Sequence, residues 1–122
     1  LGDGRDTTAP QAMLADLRAV GVGGVLSPRS RARLIGWMVG CQTGQARLRA
    51  GLPQAWRVGD KTGTGDGGSA NDIAIAFAPG APILITSYLT GAVRASPAER
   101  DTAHADVARV VFAAFRPEAA HG

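Results

Sequence analysis

The sequence predicts an α/β chain of the α+β type: helices first, then a three-stranded antiparallel meander, then a C-terminal helix packed on the sheet. Three observations lead there. Up to residue 53, apolar residues recur at helical spacing. From residue 54 the texture turns extended, with short glycine- and proline-rich connections between alternating segments. Ser96, Pro97 and Glu99 then reopen a helix with the residue types of a capped start.

The elements follow in order. Residues 1–9 are polar and glycine-rich and read as loop. Pro10 opens a helix whose apolar face carries Met13, Leu14, Leu17 and Val20. Thr8 and Gln11 have capping-box spacing, but Pro10 at the first helical position makes Ala9 the cap, so both starts stay open. Gly21, Gly23 and Gly24 end that helix. Ser27 and Pro28 start a second, with Leu34, Ile35, Met38 and Val39 on one face and Gly40 as its stop. A short third helix fits residues 43–50, closed by Gly51 and Pro53.

Strands are expected over 56–62, 72–78 and 83–90. The middle one alternates Ile73, Ile75 and Phe77 with Ala74, Ala76 and Ala78. One face therefore packs bulky groups and the other admits a close neighbour. Short connections between consecutive strands imply antiparallel pairing. On the last helix, His104, Val107, Val110, Val111, Ala114 and Phe115 form the expected buried stripe.

With 122 residues, the chain suits one small domain, and 45% apolar content makes it globular. Seven cationic residues lie between Arg29 and Lys61, read either as a solvated helix face or as a site for an anion. Six aromatics, none interleaved with the basic residues, argue against nucleic acid. The single cysteine, Cys41, excludes an internal disulfide and reads as a packed thiol. His104 and His121 lack ligand spacing, so no metal is expected. The longest apolar run, 83–89, is too short and polar to span a membrane. No signal peptide is visible. The opening Leu1 reads as the start of a processed product or of a piece of a longer protein.

The stretch "VGDKTGTGDGGSANDIAIAF" (58–77) carries the chemistry. Gly63, Gly65 and Gly68 satisfy G-x-G-x-x-G, but a strand pattern follows where a dinucleotide fingerprint needs a helix. Asp60 precedes Lys61-Thr62, so there is no Walker loop. A glycine hairpin accounts for Gly65 to Gly68 and leaves Lys61-Thr62-Gly63-Thr64 unexplained. A lysine, a hydroxyl and a glycine at a strand edge can hold an anion. They also admit a ligand to the backbone and aim an amide hydrogen at a developing oxyanion.

These residues resemble the K-T-G element of the class A serine β-lactamases. "RDTTAP" (5–10), "LRAGLP" (48–53), "GDKTGTG" (59–65), "NDIAIAF" (71–77) and "ERD" (99–101) match that family in order and spacing. The resemblance covers the whole chain and implies the C-terminal part of a β-lactamase-like fold. Residues 1–53 would be the end of the omega loop and the last helices of the helical domain. Residues 54–122 would be the final strands and helix of the sheet domain. The resemblance makes Lys61 and Thr64 catalytic, Thr64 through its amide at the oxyanion. It makes Lys61, Thr62, Gly63, Thr64 and Arg47 substrate-binding. Arg47, which also reads as a plain surface arginine, would supply the guanidinium at the substrate carboxylate, because Ala70 stands at the family's usual position. Gly65 and Asp101 would line the rim, and Asp6 would be the acid at the neck of the omega loop. The implied ligand is a β-lactam antibiotic, the implied location periplasmic or secreted, and no cofactor is implied.

One departure is large. No serine is followed three residues later by lysine, and no S-D-N occurs. The omega-loop glutamate of the family would lie before Leu1. A hydroxyl nucleophile with no positioned base is weak. Two expectations therefore stand. The chain is one part of an active β-lactamase, partnered by the missing N-terminal part, or it is an inactive remnant or binding module of the same fold. "RDTT" and "NDIA" disfavour a related peptidase.

Overall fold

The computed structural model describes residues 3–115. Helices α1 (Pro10–Gly21) and α2 (Pro28–Val39) come first, followed by a 3-10 turn at Leu48–Gly51. Strands β1 (Arg57–Thr64), β2 (Ala70–Phe77) and β3 (Ile83–Leu89) come next, and helix α3 (Pro97–Phe115) closes the described chain. The sheet order is β1-β2-β3, antiparallel throughout. Among the described residues, both β1 and β3 are therefore edge strands.

The sheet is the middle layer. On one face Leu17 of α1 and Met38 of α2 bury Ile75, with Ile73 and Phe77 beside it. On the other, Ala74 and Ala76 join Leu48, Leu52, Val58, Ile85 and Ala108 beneath α3 and the 3-10 turn. The bulky-and-small alternation of β2 thus separates two cores, and the small face is the one approached closely. No helix of the described residues is long and apolar enough to cross a membrane.

Local chemistry explains the helix starts. Ala9 is the N-cap of α1 and makes no side-chain bond, so Pro10 sets that start rather than Thr8. Ser27 Oγ accepts from the Ser30 amide at 3.2 Å, and Ser96 Oγ from the Glu99 amide at 3.1 Å. The hairpin register runs further than the strand propensities indicate, pairing Thr64 with Ala70. Gly67 and Gly68 turn the chain at φ 67° and 71°, a region that favours glycine. β1 therefore extends through Thr64, two residues beyond the expected end, and β2 starts at Ala70.

Two expectations are corrected. Residues 43–50 do not form a helix; only the 3-10 turn at Leu48–Gly51 forms. Tertiary bonds hold that segment out of helical geometry. The Leu48 amide donates to Asp72 Oδ2 at 3.1 Å, and Arg47 has φ −95° and ψ −130°. The stripe expected on α3 is also displaced. Its buried residues are His104, Ala105 and Ala108, with Val111 and Phe112 half-buried. Val107, Val110 and Phe115 are exposed, and so is Ala114. The cause is close approach. A Cβ on Gly51 would lie 2.0 Å from the Ala105 carbonyl oxygen, so only the alanine face of α3 can meet the turn.

Candidate active site

Strand alternation sorts the site. Lys61 pairs with Ile73 in the register and lines the α1–α2 side of the sheet. Thr62 and Thr64 fall on the opposite side, with the Arg47 segment. Lys61, Gly63, Thr64 and Gly65 are exposed, and Thr62 is half-buried. The Lys61 ammonium donates to the Thr62 carbonyl. Beside Lys61 runs a largely apolar groove of about 480 Å³, lined by Met13, Leu17, Leu34, Trp37 and Met38.

Arg47 braces the end of β1 from behind. Its Nε donates to Asp101 Oδ1 at 2.8 Å. Its Nη1 donates to the carbonyls of Gly63 at 3.2 Å and Asn71 at 2.8 Å, and its Nη2 to Thr64 Oγ1 at 2.8 Å. A guanidinium has five N–H groups and only donates, so four of the five are committed within the chain. Thr64 Oγ1 must accept, which leaves its own hydrogen free to point outward. Arg47, Gly63, Thr64 and Asp101 are thus brought together. Gly65 closes the hairpin instead, its amide donating to the Ser69 carbonyl at 3.1 Å. Asp6 sits at φ 54° in the loop before α1.

Beneath the site lie two buried carboxyl groups, on Asp60 and Asp72, both 0% exposed. Asp60 Oδ1 accepts from Arg49 Nε at 2.5 Å. Taken as acceptors, Asp60 Oδ2 and Asp72 Oδ1 have no hydrogen-bond donor among the described residues. Burial first, then the hydrogen bond and charge of Asp60, push the Asp72 carboxyl up to about 8. The direction of the shift favours the protonated form of Asp72, whose hydrogen then bonds toward Asp60. On the α3 side, His104 Nε2 meets the Ala70 carbonyl at 2.8 Å and Nδ1 meets Ser87 Oγ at 2.7 Å. A carbonyl only accepts, so Nε2 carries the proton and Nδ1 accepts from the serine. Burial holds this imidazole below its ordinary value.

Asp60 and Asp72 stand inside "GDKTG" and "NDIA", but nothing along one dimension marks them as facing groups. Arg49, Thr43, Ser87 and His104 were likewise invisible as site supports, because their partners lie 11 to 34 residues away. The basic run from Arg29 to Lys61 is not one exposed patch. Arg47 and Arg49 turn inward, and Arg31 donates to the Gly23 carbonyl at 2.5 Å. No cluster of three or more metal-ligating side chains occurs among the described residues.

Comparison with known proteins bears on the family and the fold. A family model described as "Beta-lactamase enzyme family" matches residues 2–115. Beta-lactamase CTX-M-8 of Citrobacter amalonaticus is 46% identical over 101 residues, 82% of this chain and 35% of that protein. Beta-lactamase AST-1 of Nocardia asteroides is 50% identical over 116 residues, 93% of this chain and 37% of that protein. The solved class A β-lactamase of the last common ancestor of Gram-negative bacteria superposes with a TM-score of 0.89 at 55% identity. That match covers 93% of this chain and 44% of the ancestral one. The chain thus spans little more than a third of the length of those two curated relatives. The K-T-G residues lie on an edge strand, and the family match runs through the whole described fold: the chain belongs to the beta-lactamase enzyme family, among its class A members.

Proposed function

We propose that this chain forms one wall of a serine β-lactamase site and that turnover needs a partner segment carrying nucleophile and base. The observation that carries the reading is the edge position of Lys61-Thr62-Gly63-Thr64, with Arg47 bonded behind Gly63 and Thr64. A β-lactam lies along the free edge of β1. Lys61 supplies positive charge to its carboxylate and to the proton network around the nucleophile. Thr62 and Thr64 donate hydroxyl bonds to the carboxylate, and the Thr64 amide is half of the oxyanion hole. Arg47 adds its charge from behind the strand, and Asp101 and Gly65 mark the rim. Residues 3–53 belong with the helical domain of the assembled enzyme and residues 54–115 with its sheet domain.

In the assembled site a serine oxygen attacks the lactam carbonyl, its proton passing to a base. The C–N bond breaks, and the ring nitrogen takes a proton. A water then attacks the acyl ester, with a glutamate accepting its proton, and frees the serine and the ring-opened acid. Nucleophile and glutamate come from the partner segment. The location that suits this activity is the periplasm or the exterior.

A second reading is a binding module of the same fold, in which the strand-edge residues hold a β-lactam without turnover. One chimera separates the two. The part of the Gram-negative-ancestor enzyme that precedes the matched region is fused ahead of Leu1, and a chromogenic β-lactam is assayed. Hydrolysis by the folded chimera supports the enzyme reading. A folded chimera that binds the β-lactam without turning it over sinks it and leaves the binding module.

A further inference from the structure

We infer that Thr43, in the turn between α2 and the 3-10 turn, is a positioning residue that fixes Thr62 as a hydrogen-bond donor to the substrate carboxylate. This role rests on the reading above. Thr43 Oγ1 lies 2.5 Å from Thr62 Oγ1, joining two residues 19 apart in sequence. Cys41 Sγ lies 3.4 Å from the same Thr43 oxygen.

The polarity of this chain follows from what each end can do. A carboxylate only accepts. When one binds at Thr62, the Thr62 hydrogen must point at it, and the only hydrogen left for the Thr43–Thr62 contact is that of Thr43. Thr43 therefore donates to Thr62, and its oxygen is free to accept from the weak Cys41 S–H donor. Hydrogen bonds in series polarise one another, so the Thr62 hydroxyl becomes a better donor. Thr64 is set by the same logic from Arg47. Thr62 and Thr64 stand two residues apart on one strand face, so with each oxygen supplied with a hydrogen from behind, both hydroxyls can donate to one bound carboxylate. Without Thr43, Thr62 is free to rotate, and part of the binding is lost in orienting it.

The test uses the β-lactamase chimera, with Thr43→Val to delete the hydroxyl and keep the shape, and Thr43→Ser to restore it. Thr43 is exposed, so neither change threatens the core. Thr43→Val is expected to raise KM for a carboxylate-bearing β-lactam roughly three- to tenfold with little change in kcat, the scale of one hydrogen bond. Thr43→Ser retains the parent KM. A carboxylate-esterified β-lactam shows no Thr43→Val effect, and in a Thr62→Val background the effect disappears. An unchanged KM in Thr43→Val, an equal loss in Thr43→Ser, or an undiminished effect in the Thr62→Val background overturns the role while the function reading survives. A folded parent chimera without hydrolysis overturns both.

Discussion

Arg47 Nε and Asp101 Oδ1 lie 2.8 Å apart across 54 positions of sequence. The pair ties the segment before the 3-10 turn to the start of α3. Because the same guanidinium also grips Gly63, Thr64 and Asn71, it fixes where the end of β1 stands. Arg47 is 9% exposed at its side chain and Asp101 28%, so the pair is only partly screened by water.

Arg47→Lys keeps the charge and loses the planar fork. Thermal or denaturant unfolding is expected to show a loss of about 1–3 kcal/mol, below the range for a fully buried pair because Asp101 keeps some water. Asp101→Asn is expected to cost less, since amide oxygen still accepts. Equal stability of Arg47→Lys and the parent chain rules out this bracing role.

The buried acids set a pH dependence with a definite sign. Asp72 is raised from 3.8 to about 8, so folding takes up a proton between those values. Its contribution is complete below 3.8 and is lost as pH rises toward 8. His104 is lowered from 6.5, so its contribution is lost as pH falls below that value. Between 6.5 and 8, of these two groups, the Asp72 slope is the one that remains. Unfolding free energy is expected to fall there by at most about 1.4 kcal/mol per pH unit. Asp72→Asn should flatten the slope. A parent chain whose stability is level across this window holds no extra proton at Asp72.

Gly51→Ala places a methyl 2.0 Å from the Ala105 carbonyl oxygen and 2.7 Å from the Ala108 Cβ. Both belong to a helix that cannot yield without losing its own bonds. The expected cost is about 2–3 kcal/mol, that of overpacking a tight core. A melting temperature unchanged by Gly51→Ala contradicts the close approach of the 3-10 turn to α3.

Lys61→Ala in the chimera removes the exposed charge beside the strand edge. About a hundredfold loss in kcat/KM is expected for a β-lactam with a free carboxylate, comparable to deleting one preorganised electrostatic contact. The loss should shrink for the esterified analogue and at high salt. The same loss for both substrates places Lys61 outside carboxylate recognition.

The helix starts at Pro10, Pro28 and Pro97 were legible because proline and cap residues act on their immediate neighbours. The alternation of residues 72–78 was legible for the same reason: side-chain direction in a strand depends only on position parity. The K-T-G residues were legible as a pattern of types and spacing. The failures have one cause as well. Residues 43–50 read as helical by propensity, yet Leu48 gives its amide to Asp72, 24 residues away. Likewise Val107 and Val110 are more apolar than Ala105 and Ala108, but the approach of Gly51 selects size over hydrophobicity.

By itself, the sequence determined the first two helices, the antiparallel meander, the closing helix and the K-T-G pattern of types, because each follows from neighbours within a few positions. Only the tertiary structure decided what holds those residues in place: Arg47 behind Thr64, Thr43 against Thr62, and the buried Asp72 carboxyl beside Asp60. Hydrogen bonds and proton sharing act over about 3 Å in space. Nothing in the order of residues along a chain states which distant groups folding will bring to that distance.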